Sequence, residues 1–392
     1  MKNVLLFGPS GSLFIRDFCE EVLSPKYRIT ILTCHYSKQY EQYYEQNDIK
    51  QIEWPELFSK GIFQNLRINI VNRYASCIRD LKEKIGFDAQ IDVMFIHYVE
   101  PLHIFYLFPI WKEAKRKVLV FWGDDILRAT NKKLRLLPFF LRQATAIVFM
   151  IDSQCEYFQN RLGHKYDYKI RVVDFGNSVL SKIDRVNEAY DREQCKTRFG
   201  LSADKVSVHV GYNAFRGQQH IEMLQSIARW IASPFSEKWL NELEFVFHIS
   251  YGKDDNFPAY MEEMKQVMDN AKMKYVFVEE YLQDDDLAMF RSTCDIFLYG
   301  QKTDARSASP LEYIYAGARF ICPVWLKENY EELKLEENVL FEYTDFDDLP
   351  ETFGRCLTRC FETDTISAES KKAIRDAISW ESLAPKWRSL YE

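Results

Sequence analysis

Glycine and proline are scarce in this chain, with 14 and 12 among 392 residues. That scarcity excludes collagen-like and low-complexity architectures. Long apolar runs are lacking too. The stretches 118–122 and 136–141 fall far short of the roughly 18 residues that read as a membrane span. The run 4–7 behind Met1-Lys2-Asn3 is too short for a signal peptide. No Cys-x-x-Cys occurs among the nine cysteines, at positions 19, 34, 77, 155, 195, 294, 322, 356 and 360. Their odd number, with no histidine at ligand spacing, predicts reduced thiols, no metal site and a cytoplasmic protein. Basic residues are in deficit, 51 Lys and Arg against 58 Asp and Glu. A general nucleic-acid binder would need the opposite balance.

What is present is globular. Hydrophobic residues make up 47% and charged residues 28%, which excludes disorder. At roughly 100–200 residues per domain, the length predicts two domains. The charge is uneven: residues 1–180 carry 25 Lys and Arg against 20 Asp and Glu, and the remainder 26 against 38. The mildly basic first part suits an anionic partner or membrane surface, or is simply a solvated charged face.

Apolar runs at 4–7, 28–33, 93–97, 118–122, 146–150 and 171–173 alternate with helix-like stretches. This alternation predicts right-handed crossovers and a doubly wound parallel sheet. The polar stretch 181–191 is the candidate linker. Strand patterns then restart at 206–210, 245–249, 275–278, 295–298 and 320–323. The expectation is an α/β protein of two doubly wound Rossmann-like domains facing across a cleft: 1–180, 181–375, and a final segment 376–392. In such sheets ligands bind outside the carboxyl ends of the strands.

Two strand ends carry candidate chemistry in the second half. In Asp304-Ala305-Arg306-Ser307-Ala308-Ser309-Pro310-Leu311-Glu312, Ser309 suits an N-cap, Pro310 the first helical position and Glu312 the third. Backbone N–H groups of Ser307, Ala308, Ser309 and Leu311 would then offer an anion site at the helix start. Glu312 would accept ribose hydroxyls or, alternatively, reach back to Ser309 as a capping box. Gly211-Tyr212-Asn213-Ala214-Phe215-Arg216-Gly217 is a glycine turn in which Gly211 allows close approach and Arg216 supplies a bidentate cation, or an ordinary turn with a solvated Arg. Asp304 reads as a sugar-hydroxyl acceptor or as an exposed loop residue beside Lys302 and Arg306.

In the first half, Gly8-Pro9-Ser10-Gly11-Ser12 follows a strand, so Gly8 and Gly11 are candidate contacts. The turn lacks the full Gly-x-Gly-x-x-Gly fingerprint, and His35 after Cys34 stands where an acidic residue would be wanted, which disfavours a dinucleotide dehydrogenase. His97 ends another strand. Asp124 and Asp125 follow the next one within Trp122-Gly123-Asp124-Asp125, as candidate bases or as a helix cap. A basic, apolar stretch spans 128–142. It can lie in a lipid interface, or be a packed helix with a solvated basic side interrupted at Pro138.

At these residues the chain resembles the GT-B glycosyltransferases, particularly the retaining type with a Glu-x7-Glu motif, here Asp304 and Glu312. Residues 92–97 look like that family's Asp-hydrophobic-hydrophobic-His-x-His strand. Trp122-Gly123-Asp124-Asp125 resembles its His-Gly-x-Asp turn, with Trp in place of His. Arg216-Gly217 lies where the family has Lys-Gly, Phe175-Gly176-Asn177 looks like its crossover turn, and 380–391 like its terminal helix. Tyr212-Asn213 and Gln218-Gln219-His220 also resemble the inverting 4-acetamidofucosyl transferase family. The resemblance implies a metal-independent hexosyltransferase without a cofactor, using a nucleoside-diphosphate sugar and a glycan or lipid-linked saccharide acceptor in polysaccharide biosynthesis. It implies Glu312 on the ribose, Arg216 and the helix start on the diphosphate, and Asp304 and His97 on the donor sugar. Asp124 or Asp125 would be the base of an inverting reaction. Such an enzyme would be cytoplasmic and peripheral at the inner face of an anionic membrane. The alternatives are a nucleotide-sugar epimerase on the same fold, or a non-catalytic protein that binds a sugar nucleotide or glycan.

Overall fold

The computed structural model describes residues 2–391 except 24–25, 35, 54–69, 87–89, 234–235, 303, 305–306 and 363–365. His35 and Ala305-Arg306 therefore lie outside the described residues. The chain divides into two compact units, one of residues Met1–Gly176 with Trp380–Glu392 and the other of Asn177–Ser379.

Among the described residues the first unit has seven parallel strands: β1 (Lys2–Phe7), β2 (Tyr27–Thr33), β3 (Lys50–Glu53), β4 (Val93–His97), β5 (Arg116–Val120), β6 (Ala146–Phe149) and β7 (Ile170–Val172). Their order is β3-β2-β1-β4-β5-β6-β7. Both faces of this sheet are covered, which explains why its strands read as unbroken apolar runs. Alternate residues of β1 go to opposite cores: Leu5 and Phe7 to one, Val4 and Leu6 to the other. β4 divides likewise, with Met94 and Ile96 against Val93 and Phe95. The Trp380–Ser389 helix fills the second of these cores with Trp380, Leu383, Ala384 and Trp387. Trp387 is fully buried and donates its indole N–H to the Asp174 carbonyl at 2.8 Å. Truncating a Trp in such a core costs about 3–5 kcal/mol. Gly176 is glycine because a Cβ there would sit 2.1 Å from the Trp380 ring.

The second unit has six parallel strands: β8 (Val206–Val210), β9 (Leu243–His248), β10 (Tyr275–Val278), β11 (Ile296–Leu298), β12 (Arg319–Pro323) and β13 (Leu340–Tyr343). Their order is β10-β9-β8-β11-β12-β13. β3 and β13 are edge strands that the apolar-run reading passes over. β3 is short, with a single buried residue, and β13 alternates rather than running apolar.

The stretch 181–191 is not a linker. It lies largely in the helix Val179–Ala189, which buries Val179, Leu180, Ile183 and Val186. Those positions recur at three- and four-residue spacing and form an apolar stripe inside a polar composition.

In each sheet the strand order reverses once, between β1 and β4 in the first and between β8 and β11 in the second. Strand-end loops diverge at such a switch point and leave a crevice. The candidate residues named above lie on loops and helix starts that follow strands of these sheets, except His97, which is the last residue of β4.

Candidate functional site

In the second unit, three strand-end loops are tied into one hydrogen-bonded rim. The β8 loop meets the β11 loop where the Tyr212 hydroxyl bonds Gln301 Oε1 at 3.3 Å and Ser307 Oγ at 3.1 Å. Gln218 donates to the same Gln301 oxygen at 2.6 Å. The β9 loop joins through the Ala214 N–H, which donates to the Tyr251 carbonyl at 2.8 Å. Gly211 lies at φ +64°, and a Cβ there would stand 2.7 Å from His220 Nε2, so only glycine suits this turn. Gln219 has φ 58° without being glycine, a strained conformation of the kind that clusters at binding loops.

The Ala308–Tyr315 helix rises from this rim. Its N-cap is Ser307, in extended conformation, not Ser309. The reason is Asp304, whose carboxylate accepts the Ser307 N–H at 3.1 Å, the Ser307 hydroxyl at 2.6 Å and the Tyr299 hydroxyl at 2.8 Å. Pro310 thus moves to the third helical position. The expected row of N–H donors is shortened accordingly: Ser307 is already engaged and Pro310 has none, which leaves Ala308 and Ser309 at the helix start. Leu311 is buried and contributes packing.

Glu312 does not close a capping box. Its Oε2 accepts from Arg291 Nε at 2.9 Å and its Oε1 from Asn177 Nδ2 at 3.0 Å. Arg291 reaches Ser309 Oγ with Nη2 at 3.1 Å and lies over the Tyr313 ring at 4.2 Å. Glu312 is 5% exposed and Arg291 3%, so this is a buried ion pair bracing the first turn of the helix. A carboxylate has roughly four acceptor positions, and these two bonds use only two. Arg216 sits on the rim, pairing with Asp254 at 3.2 Å, donating to the Asn256 carbonyl at 3.0 Å and covering Tyr260 at 5.0 Å. It is therefore held rather than freely solvated.

Sequence reasoning passed over Arg291, Tyr299 and Gln301. Arg291 lies 21 residues before Glu312, near the end of the Asp284–Ser292 helix, and no local pattern links the two.

The first unit is arranged differently. His97 is fully buried among Phe18, Phe95, Trp122, Phe175 and Trp387. Trp122 Nε1 donates to His97 Nδ1 at 3.3 Å, and burial holds the imidazole neutral, its pKa lowered to about 3. In this arrangement the His97 side chain is enclosed by the core of the first unit. The residue after it, Tyr98, is exposed and has φ 59°.

Asp125 is also drawn inward. Its carboxylate accepts the N–H groups of Val99 at 2.7 Å and of Trp122 and Gly123 at 2.9 Å, clasping the ends of β4 and β5. Burial raises its pKa to about 7, against the pull of those backbone donors. Its oxygens thus hold the two strand ends together. Asp124 stays exposed, paired with Arg128 at 2.7 Å.

Gly8 and Gly11 are both closely packed, Gly11 the more tightly. A Cβ on Gly8 would lie 3.1 Å from Ile15 Cδ1, and one on Gly11 2.7 Å from Ser37 Oγ. The Gly8 N–H donates to the Leu32 carbonyl, so it is committed to the fold.

Three histidines of the second unit, His209, His220 and His248, are held neutral by burial, the last two lowered to about 4. Unfolded, each would take a proton near pH 6.5. Their contribution is therefore fully present above pH 6.5 and lost as the pH falls towards 4. His97 acts in the same sense. Asp125, raised from 3.8, acts in the opposite sense, stabilising at low pH and less so as the pH rises to 7. The thermal midpoint should fall between pH 6.5 and 4, and His220→Gln should make that fall shallower. Equal pH slopes in wild type and variant would contradict the burial argument.

Residues 3–150 match the family described as Glycosyl transferase 4-like. No curated protein sequence matches the chain. Among solved structures, a glycosyltransferase from Rickettsia africae is similar with a TM-score of 0.72 at 14% identity, covering 100% of this chain and 97% of that one. Sucrose-phosphate synthase from Thermosynechococcus elongatus gives 0.69 at 11%, covering 100% and 98%. The Anabaena protein HepE, solved with UDP and glucose, gives 0.68 at 13%, covering 99% of each chain. The fold is GT-B. Two parallel α/β sheets, each with a single reversal of strand order, are the structural basis of that likeness.

Proposed function

We propose that this GT-B protein is a glycosyltransferase that moves a hexose from a nucleoside diphosphate to a hydroxyl of a cell-surface glycan precursor. The observation that carries the reading is Glu312: a buried carboxylate at a helix start beside the second sheet's switch point, braced by Arg291 and Asn177, with acceptor positions left over. Vicinal ribose hydroxyls are the donors that such a carboxylate suits. The structure of HepE with UDP-glucose, at 13% identity, supports a nucleotide-sugar donor on this fold.

Under this reading the diphosphate lies against Arg216 and the N–H groups of Ala308 and Ser309, with Gly211 admitting it closely. These groups are preorganised, so they stabilise charge as it develops on the leaving diphosphate, usually the largest catalytic contribution. Asp304, anchored by Ser307 and Tyr299, faces the donor sugar. In an inverting reaction Asp124 or Asp125 takes the acceptor proton.

Calorimetric titration with a panel of nucleoside diphosphates tests the donor site. One of them should bind, and Arg216→Ala, on a half-exposed rim position, should weaken that binding by about 1.5–3 kcal/mol. Glu312→Gln should weaken it as well. Unchanged affinity in both variants would return Arg216 and Glu312 to structural roles. Consumption of the donor sugar only in the presence of an acceptor separates transfer from epimerisation.

A further inference from the structure

The helices Pro101–Trp111 and Asn131–Gln143 pack on the same core of the first sheet. They touch each other through Phe108 and Phe139, whose ring centroids are 5.1 Å apart. The Asn131–Gln143 helix runs unbroken through Pro138 and is capped by Thr130, whose hydroxyl accepts the Lys133 N–H. Leu134, Leu137, Phe140 and Leu141 are buried on its inner face. The opposite face exposes Lys132, Arg135, Leu136, Phe139 and Arg142, positions that follow one another at three- and four-residue spacing and form one stripe.

Two features of that stripe are unusual for a solvated surface. Large apolar side chains stand out in it: Leu136 and Phe139 are each 49% exposed, and Phe105 on the adjoining helix is 62% exposed. The helix also carries no acidic residue. Glu100 is paired with Lys133 of this helix at 2.6 Å.

From this combination we infer that the stripe docks the first unit onto an anionic lipid surface. Phe105, Leu136 and Phe139 would enter the boundary between headgroups and acyl chains, while Lys132, Arg135 and Arg142 meet the lipid phosphates. The charge pattern selects this occupant. A second copy packed across a two-fold axis would set the same cations against each other. The whole chain carries a net charge of −7, yet charges beyond a Debye length of about 8–10 Å are screened. The local stripe therefore determines both attraction and orientation. This inference is independent of the donor-site reading.

Co-sedimentation with vesicles tests it. The full chain should bind vesicles of equal parts phosphatidylglycerol and phosphatidylcholine at low salt, release them at high salt, and ignore pure phosphatidylcholine. The triple variant Lys132→Glu/Arg135→Glu/Arg142→Glu should bind about 100-fold more weakly or worse. Phe105→Ser/Leu136→Ser/Phe139→Ser should weaken binding without the charge change. Circular dichroism and the thermal midpoint confirm that both variants fold, since all six side chains face solvent. Failure to bind anionic vesicles at low salt overturns the proposal. So does binding that neither variant alters, or a concentration-dependent dimer that Phe139→Ser abolishes.

Discussion

Arg291→Met should lower the stability of the chain by about 3–5 kcal/mol, a large loss for one substitution. The Arg291–Glu312 pair is buried on both sides, at 4% and 7% side-chain exposure. Removing the guanidinium leaves the Glu312 carboxylate, only 7% exposed, poorly solvated and with Asn177 as its remaining donor. The cost is that of an uncompensated buried charge, which exceeds the net worth of the pair itself. Arg291→Met combined with Glu312→Leu should therefore recover much of the stability, because neither charge is left behind. Urea unfolding of wild type, single and double variants reads this directly. A loss below about 1 kcal/mol in the single variant, the range of exposed pairs, would mean that water reaches Glu312. The double variant should still fail to bind a nucleoside diphosphate, which separates the fold's need for the pair from the ligand's need for the carboxylate.

Asp304→Asn should cut the turnover of sugar transfer by roughly 10²-fold while leaving nucleotide affinity within a few-fold of wild type. The side chain keeps its shape and loses its charge, so the loss reports on a group acting in the transition state. Asp304 also anchors Ser307 at the start of the Ala308–Tyr315 helix. Part of any effect would then come from a loosened helix start. Ser307→Ala provides the control, since it removes the hydroxyl bond and keeps the carboxylate. If Ser307→Ala loses turnover to the same extent, Asp304 is a positioning residue for the helix. Near-normal turnover in Asp304→Asn, assayed with the true donor and acceptor, removes it from the chemistry.

Local sequence and tertiary structure contributed different parts of this picture. Eleven of the thirteen strands among the described residues are visible as apolar runs because a parallel sheet covered on both faces buries most of its central residues, and burial selects apolar side chains irrespective of partner. The two others escape because polar residues break the run: β3 buries only Ile52 among Lys50, Gln51 and Glu53, and β13 alternates and is interrupted by Glu342. The helix Val179–Ala189 escapes for a related reason: its four buried positions are diluted by Ser181, Lys182, Asp184 and Arg185, so composition hides what spacing reveals.

The candidate site divides along the same line. Residue type and position after a strand pick out Asp304, Glu312, Arg216, Gly211, Asp124 and Asp125, since they depend only on order along the chain. Their surroundings are decided in three dimensions. Asp125 turns inward because three N–H groups from two strand ends converge on it. His97 is enclosed because the Trp380–Ser389 helix brings Trp387 back over the first sheet, some 290 residues along the chain. Glu312 meets Arg291 and Asn177 across 21 and 135 residues. Local order along the chain determines which elements form and which loops carry polar chemistry, because periodicity and turn residues act over a few positions. Which of those polar groups stay open to a ligand is decided only when distant segments close around them, because burial and hydrogen-bond satisfaction belong to the packed whole.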